Sequence, residues 1–271
     1  MSLTRLAGWI LLSVGALHAS PITLAPGSLL VQQPALSGAV TGNITEYTKS
    51  GTSTGTAQIV GTTDIAENLT VLSGQLFVSD GSGRVNRIDL SSGIVATSFN
   101  TGMVGLNGIG SYGGNLLTLS FSAHAVNVYS TTGVFQQSIA LVSTPASFSW
   151  NGIASDGTIL YLADYSSGRL YEYSPTGASL GFIDTHLGAG ITGVSYDSLN
   201  NSLWISDAST NQVLDFSTSG TLLSQFSTGT FRPGSGIAVV PVPEPSCGGL
   251  FAIALAIVAA SNKLERFGRI R

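Results

Sequence analysis

A turn glycine recurs at a nearly constant interval through the middle of this 271-residue chain, with an aromatic or acidic residue four positions before each copy. The pairs are Tyr47 with Gly51, Asp89 with Gly93, Tyr129 with Gly133, Tyr173 with Gly177, and Phe216 with Gly220. The intervals are 42, 40, 44 and 43 residues, the period of four-stranded β-propeller blades. Each glycine is expected to supply the positive φ of the hairpin between a third and a fourth strand, and the residue four positions earlier is expected to end the third strand.

Short aromatic and β-branched segments bounded by Gly, Ser, Asn or Asp repeat in phase with these glycines, a pattern typical of all-β structure. Second strands are predicted at residues 76–80, 116–120, 160–164 and 203–207, and residues 29–31 supply the second strand of the first blade. First strands are predicted at 68–71, 107–110, 151–154, 192–195 and 235–239. The strands predict a propeller of five blades, and a six-bladed ring with a degenerate N-terminal blade is the alternative.

The final predicted first strand, at residues 235–239, is not followed by further blade strands. The first blade, in contrast, begins with a predicted second strand at residues 29–31 and lacks a first strand of its own. Pairing residues 236–240 with residues 29–31 therefore closes the ring and removes two exposed sheet edges. The sequence thus predicts that a C-terminal strand completes the first blade.

The repeats resemble those of NHL and gluconolactonase-like propellers, which carry a Gly-Ile-Ala first strand and a Leu-Tyr-Val-Ala-Asp second strand. The matching residues are Gly152-Ile153-Ala154, Leu160-Tyr161-Leu162-Ala163-Asp164 and Arg169-Leu170. The likeness covers about residues 60 to 240 and implies a fold rather than an activity. Lactonase-like relatives hold a divalent metal in the channel with Glu, Asn and Asp. Here Asn107 and Asn151 occupy plausible positions, and matching acidic ligands are not evident.

Residues 1–19 are predicted to be a secretory signal peptide cleaved after Ala19 by signal peptidase, because Arg5 precedes an apolar run that ends in small residues. The apolar run has about twelve residues, against roughly twenty for a membrane span. The propeller is assigned to residues 20–241. The only cysteine, Cys247, excludes an intramolecular disulfide.

Residues 242–271, the C-terminal tail, contain Pro243-Glu244-Pro245, an apolar run at 250–260 and then Lys263, Arg266, Arg269 and Arg271. This order resembles the PEP-CTERM sorting signal of Gram-negative bacteria. The resemblance implies a short apolar helix held transiently in the inner membrane. It also implies recognition of Pro243, Glu244 and Pro245 by exosortase, a membrane transpeptidase, and release to the cell surface or extracellular matrix. An ordinary tail anchor or terminal helix is the alternative.

Residues 20–241 contain five basic and twelve acidic side chains, a formal charge of -7. A negative surface repels phosphate backbones, so nucleic acid is excluded as a partner. A cation or a neutral sugar is favoured over an anion.

Two polar sets are predicted to lie on one rim of the channel, where first strands begin and second strands end. These candidate ligand residues are Asn68, Asn107, Asn151, Asp80, Asp164 and Asp207. Their oxygen atoms are of the kind that binds calcium. The alternative is that Asn and Asp cap turns by bonding to nearby backbone.

Two classes of function follow. The first is a non-enzymatic envelope or matrix protein that binds polysaccharide or protein. The second is an exported hydrolase or lyase with a divalent metal on the rim. Binding is favoured because no Ser/His/Asp set, phosphate loop or His-rich motif is evident, and no catalytic residue is assigned.

Overall fold

The computed structural model describes residues 23–37, 40–229 and 235–242, and these form five four-stranded antiparallel sheets. Blade 1 contains β1 (Leu29–Ser37), β2 (Val40–Tyr47), β3 (Ser53–Val60) and the last strand of the chain, β20 (Gly236–Val239). Blade 2 contains β4 (Ala66–Leu72), β5 (Gln75–Asp80), β6 (Arg84–Ile88) and β7 (Val95–Asn100). Blade 3 contains β8 (Leu106–Tyr112), β9 (Asn115–Ser120), β10 (Ala125–Tyr129) and β11 (Phe135–Ala140). Blade 4 contains β12 (Trp150–Ser155), β13 (Leu160–Asp164), β14 (Arg169–Tyr173) and β15 (Ser179–Asp184), and blade 5 contains β16 (Ile191–Asp197), β17 (Ser202–Asp207), β18 (Gln212–Ser217) and β19 (Leu222–Ser227).

The five-bladed, all-β propeller predicted from the repeat is confirmed. Strands β20, β4, β8, β12 and β16 are the innermost strands and surround the channel. We call the face of the disc on which these strands begin the N face, and the face on which they end the C face.

Ring closure by the last strand is also confirmed. Strand β20 pairs antiparallel with β1 from Leu29 opposite Val239 to Gln32 opposite Gly236. A second contact at the same junction joins Lys49 of the β2–β3 hairpin to the carboxylate of Asp197 at the end of β16. Blade 1 is therefore assembled from strands at both ends of the described domain, and an ion pair connects it to blade 5.

The core consists of five apolar clusters, one at each junction between neighbouring blades. Along most strands the buried side chains face one neighbouring blade or the other, which is why runs such as Leu160–Asp164 are buried at every position. A strand covered on both faces needs near-continuous apolar sequence. The short apolar runs in the sequence follow from this arrangement.

Two physical constraints favour glycine at the repeated turn positions. All five have positive φ, from 73° at Gly93 to 89° at Gly220. Most also pack tightly on the preceding blade: a Cβ at Gly51 would lie 2.6 Å from the Phe226 ring, and one at Gly177 would lie 1.9 Å from the Ala140 carbonyl oxygen. The periodic glycine therefore records both hairpin geometry and blade packing.

Replacing Gly177 with Ala should destabilise the domain by about 2–4 kcal/mol, because the Cβ is both strained at positive φ and blocked by backbone. Gly74→Ala is the matched control, since Gly74 has φ 71° but no atom lies within 4 Å of the position that its added Cβ would take. It should cost only about 1 kcal/mol. Equal shifts in the urea unfolding midpoint for the two variants would show that blade packing at Gly177 contributes nothing.

The second blade departs from the predicted turn. Tyr47, Tyr129 and Tyr173 end third strands as predicted, but β6 ends at Ile88 with Asp89 beyond it, and β18 continues one residue past Phe216 to Ser217. The turn of blade 2 is one residue longer, since Ile88 pairs with Val95 whereas Tyr47 pairs with Ser53. Asp89 instead accepts hydrogen bonds from the backbone and hydroxyl of Ser91, which lower its pKa.

The two described ends of the domain lie side by side on the C face. The Gly27 amide donates to the Val240 carbonyl at 2.9 Å, and the Val240 amide donates to the Ser28 carbonyl at 2.9 Å. The buried Glu46 carboxylate accepts from the Ala25 amide and the Ser28 hydroxyl, and also from Thr23. The N-terminal segment is thus fixed against the strand that closes the ring.

The predicted signal peptide at 1–19 and the sorting motif with its apolar run lie outside the described residues. Among residues 23–37, 40–229 and 235–242, there is no helix with the length and apolar character needed to cross a membrane.

Candidate functional site

The register of β4, the innermost strand of blade 2, differs by one residue from the sequence prediction. Ala66 and Leu69 pair with Asp80 and Val78, as Trp150 and Ile153 pair with Asp164 and Leu162 in blade 4. Glu67, not Asn68, is therefore equivalent to Asn107 and Asn151. The prediction that Asn68 aligns with Asn107 and Asn151 is therefore wrong. The prediction that these asparagines begin their strands is also wrong, since none of them is the first residue of its strand.

Asn68 takes the place that glycine occupies in the other four innermost strands, at Gly108, Gly152, Gly193 and Gly236. These glycines allow neighbouring strands to approach closely: a Cβ at Gly152 would lie 2.9 Å from the Gly193 Cα. Asn68 is the one residue with a side chain at this position of the five innermost strands.

The Asn68 side chain hydrogen-bonds to blades 4 and 5 and packs against the innermost strand of blade 1. Its Nδ2 donates to the carbonyl oxygens of Asn151 at 2.8 Å and Thr192 at 3.2 Å. A Cβ at Gly236 would lie 2.5 Å from its Oδ1. Asn68 is 2 % exposed. The predicted ligand residue Asn68 thus lies in the channel as a hydrogen-bonded crosspiece, and its amide hydrogens satisfy carbonyls that face the channel axis.

Glu67, Asn107 and Asn151 hold equivalent positions near the starts of three successive innermost strands on the N face, and these three residues are here called the arc. The Asn107 Nδ2 donates to the Asn151 Oδ1 at 2.8 Å, and the Asn107 carbonyl accepts from the Ser79 hydroxyl at 2.9 Å. Glu67 and Asn107 are half-buried. The arc therefore comprises one carboxyl group and two side-chain amides on the N face, and the Glu67 carboxyl lies on the side of Asp64 and Gly81.

Glu67 is the functional candidate that the sequence reasoning missed. Burial, followed by the nearby carboxylates of Asp64 and Asp80, raises the pKa of Glu67 to about 7. No cation forms a salt bridge with Glu67 or Asp64 within the described ranges. A carboxyl group whose pKa is near 7 can donate a hydrogen bond when protonated and accept one when ionised.

The raised pKa makes stability depend on pH in a defined direction. Because the pKa of Glu67 is about 7 in the folded chain and about 4.3 when unfolded, folding is favoured at low pH and weakened as pH rises from about 4 through 7. Glu67→Gln should therefore leave the unfolding free energy unchanged at pH 4. At pH 8 it should raise it by about 2–3 kcal/mol, measured by urea unfolding.

Removing Asp64 tests the electrostatic part of this prediction. Asp64 is exposed and raises the pKa of Glu67. Asp64→Asn should move the pH window of destabilisation to lower pH without removing it. A wild-type unfolding free energy that does not fall relative to Glu67→Gln between pH 4 and 8 would contradict the assignment.

The three predicted aspartates lie at the N face ends of their second strands, beside the starts of the innermost strands, but they are fully buried. Asp80 accepts from the amides of Thr63, Ser82 and Arg84 and from the Asn86 side chain. Asp164 accepts from Ser149, Ser166 and Ser167, and Asp207 from Ser209 and Thr210. Their geometry is that of turn caps, the alternative raised by the sequence.

The donor set for a divalent cation at the mouth is limited. Glu67, Asn107 and Asn151 supply the oxygen types that Ca²⁺ takes, but the ion needs six to eight ligands, and Asn151 Oδ1 already accepts from Asn107. Among the described residues, no group of three or more His, Cys, Asp or Glu side chains is placed to hold a metal ion. The three arc residues alone therefore fall short of a calcium site.

Aromatic side chains border the arc on the N face. Phe121 and Tyr165 each follow the second strand of their blade, and their backbones flank β12: the Phe121 carbonyl accepts from the Trp150 amide, and the Tyr165 amide donates to the Ser149 carbonyl. Phe121 is 44 % exposed, and Val104 in the neighbouring loop is 87 % exposed. Tyr165 is half-buried. The rim next to Asn151 therefore combines apolar rings with side-chain amides.

The opposite end of the channel is lined by apolar and hydroxyl side chains, without carboxylates or cations. A cavity of about 60 Å³ opens on the C face, and hydroxyl groups of Thr70, Ser111, Ser155, Ser195 and Tyr196 are among its lining. This volume suits a few water molecules. The N face carries the Glu67 carboxyl, whereas Tyr196 is the one aromatic side chain among the residues that line the C face cavity.

No protein-family model matches the chain, and no curated protein sequence matches it significantly. Solved structures share its fold. The glutaminyl cyclase of Myxococcus xanthus aligns with a TM-score of 0.50 and 17 % identity over 64 % of this chain and 70 % of that chain. A chain of a nidogen/laminin complex aligns with a TM-score of 0.54 and 16 % identity over 79 % of this chain and 98 % of that chain. At this identity the likeness shows a β-propeller and no particular activity.

Proposed function

We propose that this chain is an exported, non-enzymatic propeller of the cell envelope or extracellular matrix that binds polysaccharide or an envelope protein through its N face. The observation that carries the proposal is the N face rim, where Phe121 and Tyr165 flank the strand that bears Asn151. Binding sites combine apolar contact area with a few convergent polar groups. The Glu67, Asn107 and Asn151 arc supplies the polar groups and the aromatic rim supplies the area.

The charge balance supports an uncharged or cationic ligand. Residues 20–241 have a formal charge of -7, and Glu67 and Asp64 add negative character at the mouth once Glu67 is ionised. A polyanion would be repelled from this face. A neutral saccharide would not.

Export is supported by the two ends of the sequence. The N-terminal pattern favours cleavage by signal peptidase after Ala19, and the tail resembles a PEP-CTERM signal with Pro243-Glu244-Pro245 as the recognition element. An exosortase-type transpeptidase would then process the tail after a transient stay of residues 250–260 in the inner membrane. The propeller would be left at the cell surface or in the matrix.

Binding through the N face is tested with the full-length protein on an array of neutral, acidic and amino-sugar glycans and envelope proteins. The double variant Asn107→Ala/Phe121→Ala should lose the bound species. Leu199→Ala is the matched control, because Leu199 is 66 % exposed in the β16–β17 hairpin of the C face. Loss of binding in the control but not in the double variant would place the site on the opposite face.

Export is tested by the intact mass of the protein recovered from its native host. The mature form should begin after Ala19 and end near Pro243-Glu244-Pro245. A species that still ends at Arg271 and lies outside the inner membrane would contradict processing of the tail.

An exported hydrolase or lyase of the lactonase-like type is the second candidate, and Glu67 favours it. The lactonase-like ligand set includes an acidic residue beside the asparagines. Glu67 supplies one, at the strand position equivalent to Asn107 and Asn151. Turnover of lactones or polysaccharides that requires Ca²⁺ and is lost in Glu67→Gln would favour this candidate over binding alone.

A further inference from the structure

Five aromatic rings form a continuous series at the junction of blades 3 and 4, here called the aromatic ladder. Successive ring centroids are 5.1, 4.6, 5.5 and 5.7 Å apart. In order the rings are His124, Phe148, Trp150, Tyr171 and Phe182. The first two lie in N face loops, whereas the last two lie on β14 and β15 toward the outer edge of blade 4. The ladder therefore leads from the N face to the side of the disc.

The ladder is open to solvent at both ends and anchored in its middle. His124 is exposed and Phe182 is 49 % exposed, Phe148 and Tyr171 are half-buried, and Trp150 is fully buried. Trp150 is held by its Nε1, which donates to the Ala123 carbonyl at 3.0 Å. Packing of blades 3 and 4 accounts for Trp150, whereas the rings at the two ends, His124 and Phe182, leave much of their surface uncovered.

The polar groups around the ladder are paired, so the surface has little net charge. The Arg169 guanidinium lies 4.3 Å from the centroid of the Phe182 ring and forms an ion pair of 3.3 Å with Asp184. This contact fixes the orientation of the Phe182 ring and covers one of its faces. The His124 Nδ1 lies 2.9 Å from the Thr144 hydroxyl. The exposed rings are therefore oriented before any partner arrives.

We propose that the aromatic ladder is a binding surface for a neutral polysaccharide chain, which lies across the junction of blades 3 and 4 and stacks its sugar rings on the exposed aromatic faces. The inference rests on the proposed binding function and names its ligand class and a second surface for it. Charge decides the class: a surface whose charges are paired, on a domain of charge -7, suits an uncharged polymer better than an anionic one. Exposed rings at both ends of the ladder, with the half-buried Phe148 and Tyr171 between them, suit a repeating ligand better than a single small molecule.

The test is titration calorimetry of the full-length protein with cellohexaose, laminarihexaose and maltohexaose, their disaccharides, and an oligogalacturonate of the same length. At least one neutral hexaose should bind more tightly than its disaccharide, because a longer chain reaches more rings. Phe182→Ala and His124→Ala, which change the two ends of the ladder, should each lower the affinity for that hexaose by about three- to tenfold. Phe135→Ala removes a phenylalanine of similar exposure, 53 %, from β11 and should have no effect.

Thermal unfolding of each variant establishes that it is folded. The variants are expected to fold because the substituted rings are exposed. Binding of a hexaose that survives both ladder variants but is lost in Asn107→Ala/Phe121→Ala would overturn the ladder and leave the proposed function standing. Preference for the oligogalacturonate, or equal affinity for hexaose and disaccharide, would also overturn it. Failure of every glycan and envelope protein to bind any surface would instead count against the proposed function.

Discussion

Deleting residues 235–241 is expected to unfold the whole propeller at 25 °C. The deletion removes β20, whose Ile237, Ala238 and Val239 are buried between blades 5, 1 and 2. It also exposes the inner edge of β1 and the backbone groups that pair with β20. Burial of each large apolar side chain contributes about 1.5–3 kcal/mol, so the loss is comparable to the roughly 5–15 kcal/mol that stabilises a typical domain.

A chain that ends at Val242 is the matched control, because it keeps β20 and removes only the tail. Its urea unfolding midpoint should equal that of the full-length protein, whereas the deletion variant should show no cooperative transition. An unchanged midpoint and monodisperse behaviour in the deletion variant would show that the ring is closed in another way.

Replacing Asn68 is expected to have the second largest effect. Asn68→Ala removes the amide that serves the carbonyls of Asn151 and Thr192, and each unsatisfied buried carbonyl costs about 1–3 kcal/mol. The predicted loss of unfolding free energy is about 2–5 kcal/mol, measured by urea unfolding at pH 7. The effect should be larger than that of Asn200→Ala in the exposed β16–β17 hairpin, which should be close to zero.

Asn68→Asp distinguishes lost packing from lost hydrogen bonds. The carboxylate has nearly the same shape but directs negative oxygen at two carbonyl oxygens, so at pH 7 this variant should be at least as unstable as Asn68→Ala. Protonation restores a donor, and part of the stability should return toward pH 4. Asn68→Asp with wild-type stability at pH 7 would show that the channel hydrogen bonds do not stabilise the fold.

The blade architecture was predictable because its physical causes act at fixed sequence positions. A hairpin that requires positive φ at Gly51, Gly133 and Gly177 marks each repeat with glycine, and a strand that completes an unfinished blade must resemble the other first strands, as residues 236–239 do. The longer turn at Asp89 was missed, because one added residue shifts the strand end without changing the position of the glycine.

The candidate site was less predictable because it depends on register and on contacts between blades. Residue type alone aligns Asn68 with Asn107, but β4 has asparagine where the other innermost strands have glycine. Aligning Leu69 with Ile109 and Ile153 would have found Glu67. The contacts that connect His124 to Phe182 have no counterpart in local sequence, since they arise only when blades 3 and 4 pack together. Whether the rim residues bind a ligand stays a prediction.

The hydrogen bonds of Val240 with Gly27 and Ser28 bring the start and the end of the described domain to one point on the C face. A peptide linker that joined these points would be short, so a circular permutant opened at the exposed β8–β9 hairpin should keep the same ring of sheets. The same geometry makes the two faces of the disc differ in their distance from the point of attachment. A surface that holds the chain by a segment beyond Val242 holds it from the C face, and the Glu67, Asn107 and Asn151 arc then points outward.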